Sequence, residues 1–406
     1  MIALLKLALR NVFRQKLRTG MTLAAIAFGV IGLILSGGFI RDIYLQLGEA
    51  LIHSQSGHLQ ISKTGYFTYG SRSPEKYQMN DAEPIAARIQ QTAGVDMVMA
   101  RVSFSGLLNN GRTDWPIIGE GVEPDREARL GTFMQIVAGR QLNDKDEFGL
   151  TLGDGVAKAL KVAPGDRVTL LLNTAEGALN TLEFDVVGVF QSFSKDFDAR
   201  AVRIPLPAAR ELLGSTGVNT LVVSLKRTED TDGVANALRA TLKPDQNELR
   251  TWVQLNDFYE KTIALYQQQF GFLQAIILVM VLLSVANSVN MTVFERIGEF
   301  GTMMALGNRR AHVFRLILLE NALLGAIGGL LGVAAGVGLA HLISTVGIPM
   351  PPPPNANIGY TAFIQVVPEE VAGAFAIGLA ATVLAACIPA YRVTRADVVE
   401  ALRQNI

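Results

Sequence analysis

Ser192, Ser194, Asp196 and Asp198 fall within seven residues, and hydroxyls beside carboxylates are the raw material of hydrolytic chemistry. The string around them, Ser-Phe-Ser-Lys-Asp-Phe-Asp, has no nucleophile-elbow glycines and reads as a polar loop. His53 and His58 flank a Ser/Gly turn five residues apart, a weak metal signal, and His312 and His341 lie far from them. Asp114, Glu120, Glu123, Asp125 and Glu127 interleave with Arg112, Arg126 and Arg129, which favours a solvated mixed surface over a calcium site. The sequence holds no G-x-S-x-G, H-E-x-x-H or C-x-x-C, and no phosphate-cradling G-x-x-x-x-G-K-[ST]. A single cysteine, Cys387, rules out an internal disulfide. No catalytic residue, metal or bound cofactor is expected. One charged constellation remains: Glu295 and Glu299, one helical turn apart, with Arg296 between them. Such a group suits docking to another protein, although a solvated helix face would look the same.

The elements that must position this group are apolar. Of the 406 residues, 50% are hydrophobic and 18% charged, against about 25% charged in ordinary soluble domains. Four runs approach or exceed the roughly 20 apolar residues that span a bilayer: 21–40, 271–293, 322–346 and 371–390, none with a Lys or Arg. Lys+Arg 36 balances Asp+Glu 36, so no basic excess points to nucleic acid. The charges are nevertheless unevenly placed. Segments 1–20, 294–321 and 391–406 hold 12 Lys/Arg against 5 acids, and the rest holds 24 against 31. By the positive-inside rule the three basic segments are cytoplasmic, and 41–270 and 347–370 lie outside. Ile2, Leu5, Leu9, Val12 and Phe13 share a helical face beside Lys6, Arg10, Arg14 and Arg18. Residues 1–20 are therefore expected to form an amphipathic helix on the anionic cytoplasmic leaflet.

The predicted fold is a polytopic α-helical membrane protein of four transmembrane helices, with a large external α+β domain inserted between helices 1 and 2. Strands are expected at 57–63, 98–108, 115–121, 166–172, 182–190, 200–206 and 221–226, and helices at 81–92, 154–160, 207–213 and 230–242. A β-rich subdomain is expected near 150–206. Residues 256–269 look like a helix running straight into the second span. In the third span Gly328, Gly332 and Gly336 recur every four residues, and the first span holds Gly29 and Gly32. This spacing lets helix backbones approach closely, within the chain or against a second copy. Ser284, Asn287, Ser288 and Asn290 of the second span are expected to hydrogen-bond across helices.

The cytoplasmic segments carry motifs. Glu295, Arg296, Glu299, Phe300, Gly301, Ala305, Leu306 and Gly307 fit E-R-x-x-E-[IF]-G…A-L-G. Pro389, Ala390, Arg392, Glu400, Ala401, Leu402 and Arg403 fit most of a P-A-x-R…A-L-R ending, with Val398 and Val399 where a proline is usual. On these residues the chain resembles permeases of the FtsX/MacB/LolC–LolE superfamily of ABC transporters. The runs 139–142 and 160–170 also resemble external-domain motifs of that superfamily. Within it, Gly57–Ile61 and Ile118–Pro124 look most like the lipoprotein-release branch.

The resemblance implies a non-catalytic inner-membrane subunit that couples to a dimer of separate ABC ATPase subunits, which would carry ATP-Mg. Glu295, Arg296, Glu299, Phe300, Gly301, Leu306, Gly307 and Arg309 would form the coupling site. It implies a second permease copy or a sister permease, a periplasmic carrier or adaptor, and extraction or export of lipoproteins or lipid-like substrates. The alternatives are an FtsX-like mechanotransmitter that regulates an external hydrolase and MacB-like efflux of small molecules or peptides.

Overall fold

The computed structural model describes residues 8, 10, 11, 14, 16–70, 72–174, 176–352, 357 and 359–395. Most of the expected amphipathic stretch, and Glu400, Ala401, Leu402 and Arg403 of the tail motif, lie outside the described residues. The chain divides into two compact units. One comprises Met1–Tyr44, Thr262–Pro349 and Thr361–Ile406; the other comprises Leu45–Lys261 and Met350–Tyr360.

The first helix, α1 (Lys16–Leu51), is followed by the external unit. In chain order this unit runs β1 (Leu59–Lys63), α2 (Ala82–Gln90), β2 (Val95–Asn109), β3 (Asp114–Val122), α3 (Pro124–Leu130), β4 (Gln135–Gly139), β5 (Gly149–Gly153), α4 (Asp154–Leu160) and β6 (Arg167–Asn173). It continues with β7 (Leu179–Gln191), α5 (Lys195–Asp198), β8 (Ala201–Pro205), α6 (Leu206–Leu213), β9 (Thr220–Leu225), α7 (Thr231–Thr241), β10 (Asn247–Thr251) and α8 (Trp252–Leu255). Local patterns explain many of these. In α7, Thr231, Val234, Ala235 and Leu238 are buried at the i, i+3, i+4, i+7 spacing of one helix face. Thr251 starts α8 with a reciprocal capping box to Gln254.

The ten strands follow the order β10-β1-β9-β2-β3-β8-β5-β7-β4, with β6 bonded to β2 and β7. Strand β2 spans both halves of this sheet. Val95–Arg101 pairs with β9, and Val102–Asn109 pairs with β3. The β-rich stretch near 150–206 supplies β5 to β8. It shares one core with the rest of the unit: Leu59, Val98, Phe104, Leu152, Phe184, Val202 and Leu221 belong to a single buried cluster.

Among the described residues, the membrane unit contains four helices long and apolar enough to cross a bilayer. They are α1, α9 (Asp257–Glu295), α11 (Arg310–Val346) and α12 (Pro368–Arg395), with the short α10 (Ile297–Ala305) between the second and third. Each is longer than its apolar run, since nothing in the flanking sequence breaks the helix where hydrophobicity stops. Strands β11 (Ile348–Met350) and β12 (Tyr360–Ala362) pair in the segment before α12.

The glycine stripe is filled by this chain's own helices. A Cβ at Gly328 would meet Ile26, one at Gly332 would lie 2.8 Å from Val30 and 2.9 Å from the Ala27 carbonyl oxygen, and one at Gly336 would meet Ile34. Gly325 and Gly329 face Thr382 and Phe375 of α12. On α1, Gly29 and Gly32 face Val281 and Ile277 of α9. Of the polar groups in the second span, Ser288 bonds Thr22 of α1, while Ser284 and Asn287 are exposed.

Candidate functional site

Helix α9 ends at Glu295 because Arg296 leaves the helical conformation, with φ −102° and ψ 10°. Helix α10 restarts at once and runs nine residues, about 13 Å at 1.5 Å per residue. Gly307 ends it with φ +94°, a conformation that costs glycine nothing. The Gly307 N–H donates to the Met304 carbonyl and the Asn308 N–H to the Met303 carbonyl, each at 3.0 Å, which caps the last turn. Arg309 is extended and leads into α11.

One face of α10 is anchored. Phe300 is 1% exposed and lies in a cluster with Val289, Val293, Val313, Ile317, Ala390 and Val393, against which Ile297, Met303 and Met304 also pack. Gly298 and Gly301 are buried on the same helix. The far end is free of this packing: Ala305 to Arg310 are all exposed, Leu306 at 80%.

Glu295 and Glu299, expected to offer a charged surface to a docking partner, are each paired with an arginine of this chain while staying part-exposed. Arg18 pairs with Glu295, with a second bond of 2.6 Å, and Arg14 pairs with Glu299. Arg296 donates through Nε to Glu299 at 3.0 Å and through Nη1 to Glu320 at 2.7 Å. Glu320 also accepts from Asn11 at 2.6 Å. Burial pushes the Glu299 carboxyl up, but hydrogen bonds from Arg14 and Arg296 outweigh it and hold the group below its ordinary range. Glu295 and Glu299 are thus each paired with an arginine of the same chain, and beyond them the Leu306–Arg310 turn is exposed. Sequence reasoning missed Asn11, Arg14, Arg18 and Glu320 as members of this site. A signal was present: Arg14 and Arg18 repeat with the same four-residue spacing as Glu295 and Glu299.

The external candidates are structural. Asp198 is buried and accepts from the Ser192 N–H at 3.0 Å through both carboxylate oxygens, and Ser194 caps α5. The expected solvated mixed surface is corrected at two of its members. Glu127 and Glu120 are turned inward onto Arg101 and Arg203, because register places Arg203 of β8 beside Glu120 of β3. Among the described residues, no group of three or more His, Cys, Asp or Glu is placed to hold a metal. His58 accepts the Leu225 N–H at Nδ1, and burial first, then His53, pull its pKa down to about 4. His53 sits 3.1 Å from Glu49 and 3.1 Å from the Leu130 carbonyl oxygen. Its pKa is raised by the Glu49 hydrogen bond, against a burial effect that lowers it.

A bundle of helices long and apolar enough to cross a membrane thus carries a large α+β domain after its first helix and a short anchored helix after its second. Residues 19–241 match the MacB-like periplasmic core domain, and residues 271–398 match the FtsX-like permease C-terminal domain. The chain belongs to the FtsX/MacB/LolC–LolE superfamily of ABC transporter permeases. It is 22% identical over 394 residues to the lipoprotein-releasing system transmembrane protein LolE of Haemophilus influenzae, covering 94% of this chain and 92% of that one. It is 24% identical over 343 residues to LolC of Neisseria meningitidis serogroup B, covering 81% and 78%. It is 22% identical over 422 residues to the macrolide export ATP-binding/permease protein MacB of Hyphomonas neptunium, covering 98% of this chain and 60% of that one.

Proposed function

We propose that this permease is driven by a separate ATPase chain, which binds ATP-Mg and docks on the Leu306–Arg310 turn. The observation that carries this reading is α10 itself: one end is rooted in the bundle through Phe300 and the other presents an 80% exposed leucine beside two exposed arginines. An exposed apolar tip on a rigid base is a natural anchor for a pocket in a partner. Motion of the ATPase pair would move α10, and with it α9 and α11, and so displace the external domain. The Lys/Arg distribution supports a cytoplasmic α10 and an external unit outside the cell's inner membrane. Two permease copies, or this chain and a sister permease, would serve one ATPase pair.

The substrate reading is a lipoprotein or another lipid-like molecule, released to a periplasmic carrier or adaptor. Its support is the similarity to lipoprotein-releasing relatives, 22% and 24% identical along 92% and 78% of their own length. Leu306→Asp tests the docking surface. The expected result is loss of ATPase co-purification and of the permease-dependent part of ATP hydrolysis, with the protein still folded in the membrane. Unchanged values for both would remove the turn from the docking surface.

A further inference from the structure

Arg296 stands where the chain bends between α9 and α10, and its side chain points inward. Its guanidinium holds Glu320 of α11 through two nitrogens, at 2.7 and 3.3 Å, with both side chains 8% exposed. The third nitrogen, Nε, reaches Glu299 on α10, and the plane lies 5.0 Å from the Phe300 ring. Asn11 satisfies Glu320 from the N-terminal segment. One forked cation therefore joins the end of α9, the body of α10 and α11, about 15 Å into the latter by helical rise.

Apolar packing would hold these helices together about as well. A buried ion pair loses hydration that its Coulomb attraction only partly returns, and replacing both partners with apolar residues of similar volume is often neutral for stability. A two-point guanidinium–carboxylate fork adds direction, since it bonds well in one relative orientation and poorly in others. Greasy contacts between the same helices tolerate sliding.

We propose that Glu320 is a positioning residue: through Arg296 it fixes the angle of α10 on α11. Displacement of α10 then passes into α11 and is not absorbed by flexing at the Arg296 bend. This rests on the reading that a partner ATPase moves α10, and it assigns a task to a residue outside the docking turn.

The test uses the full chain in lipid nanodiscs with the ATPase that co-purifies with the wild-type protein. The variant that separates transmission from folding is Arg296→Met with Glu320→Leu, which keeps volume and removes the directional bond. The expected result is an unchanged thermal midpoint and unchanged ATPase co-purification. The permease-dependent part of ATP hydrolysis should fall roughly tenfold, within the scale on which packed networks alter coupling. The exchange Arg296→Glu with Glu320→Arg should recover part of that loss by restoring the pair in reverse. An apolar double variant that couples like the wild type overturns the proposal, because packing alone would then suffice. Loss of ATPase co-purification in that variant overturns it too, because the bridge would then serve assembly. Failure of the docking reading shows separately, as Leu306→Asp leaving co-purification intact.

Discussion

The molecule contains two interleaved Arg/Glu clusters, and they are built on different scaffolds. In the external unit, Arg101 of β2, Glu120 of β3, Arg203 of β8 and Glu127 of α3 form a ring of ion pairs in which the two arginines are 3% and 4% exposed. Arg203 also lies over Phe190 and Phe197. Three members sit on adjacent strands, so sheet register fixes their spacing before any side chain pairs. In the membrane unit, Arg14, Arg18, Arg296, Glu295, Glu299 and Glu320 come from an N-terminal segment and four helices joined by bends and turns. Backbone hydrogen bonding does not lock those elements to one another. The same chemistry is braced by sheet register in one place and by side-chain pairing between helices in the other.

The sharpest break of this comparison is Arg101→Met. It strips Glu127 of a bidentate partner inside the sheet, and buried pairs broken on one side cost about 3–5 kcal/mol. A loss near the low end is expected, since Arg203 remains 3.3 Å from Glu127. Denaturant unfolding of the full chain measures it, and a cost below about 1 kcal/mol, the value of a surface pair, would mean that sheet register does not seal the ring.

Gly332→Leu should cost about 1–3 kcal/mol by overpacking the α1–α11 contact. Its effect should be local. Hydrogen exchange should rise around Arg18 and Glu295 and stay unchanged around Arg101 and Glu127. Equal deprotection of both clusters would contradict their independence.

The outer pairs of the membrane-unit cluster should be weak. Arg18 and Glu295 are part-exposed, and such pairs are worth about 0.2–1 kcal/mol. A double-mutant cycle on Arg18→Ala and Glu295→Ala should return a coupling in that range and shrink with added salt. A salt-insensitive coupling well above it would mean that this edge is as sealed as the external ring.

The smallest expected effect differs in sign between the two units. His53 has a raised folded pKa, so the stability of its pair with Glu49 is complete below the ordinary value of 6.5 and is lost as pH rises through the folded value. Glu299 has a lowered folded pKa, so its contribution is present above the ordinary 4.5 and is lost as pH falls through the folded value. The stability difference between wild type and His53→Gln should therefore shrink on the alkaline side, and that for Glu299→Gln on the acid side. Parallel slopes would refute these assignments.

Much of the architecture was legible in residue order. The four apolar runs each fall within a long helix, and seven expected strands match β1, β2, β3, β6, β7, β8 and β9 to within about three residues at either end. The strands that escaped notice have a physical reason. In the ten-stranded sheet, β4 is mostly exposed, β5 has only Leu150 and Leu152 between two glycines, and β10 reads Asn-Glu-Leu-Arg-Thr, so each carries too short an apolar pattern to stand out. Their strand character comes from neighbours: β10 is registered on β1, and β5 between β7 and β8.

For the candidate site, composition and spacing marked four runs long and apolar enough to cross a bilayer, predicted one side for the basic segments, and placed a short motif-bearing segment after the second run. Those properties are local, because hydrophobic length, charge and helical period are read along the chain. Which charge meets which was decided only by the fold. Arg18 and Glu295 are separated by 277 positions, and Asn11 and Glu320 by 309. Whether a glutamate offers its charge to a partner or spends it on an arginine of the same chain depends on three-dimensional placement, which no local pattern carries. The sequence could mark Glu295 and Glu299 as acids one helical turn apart, but only packing of the helices pairs them with Arg18 and Arg14 and leaves Leu306 exposed at the end of α10.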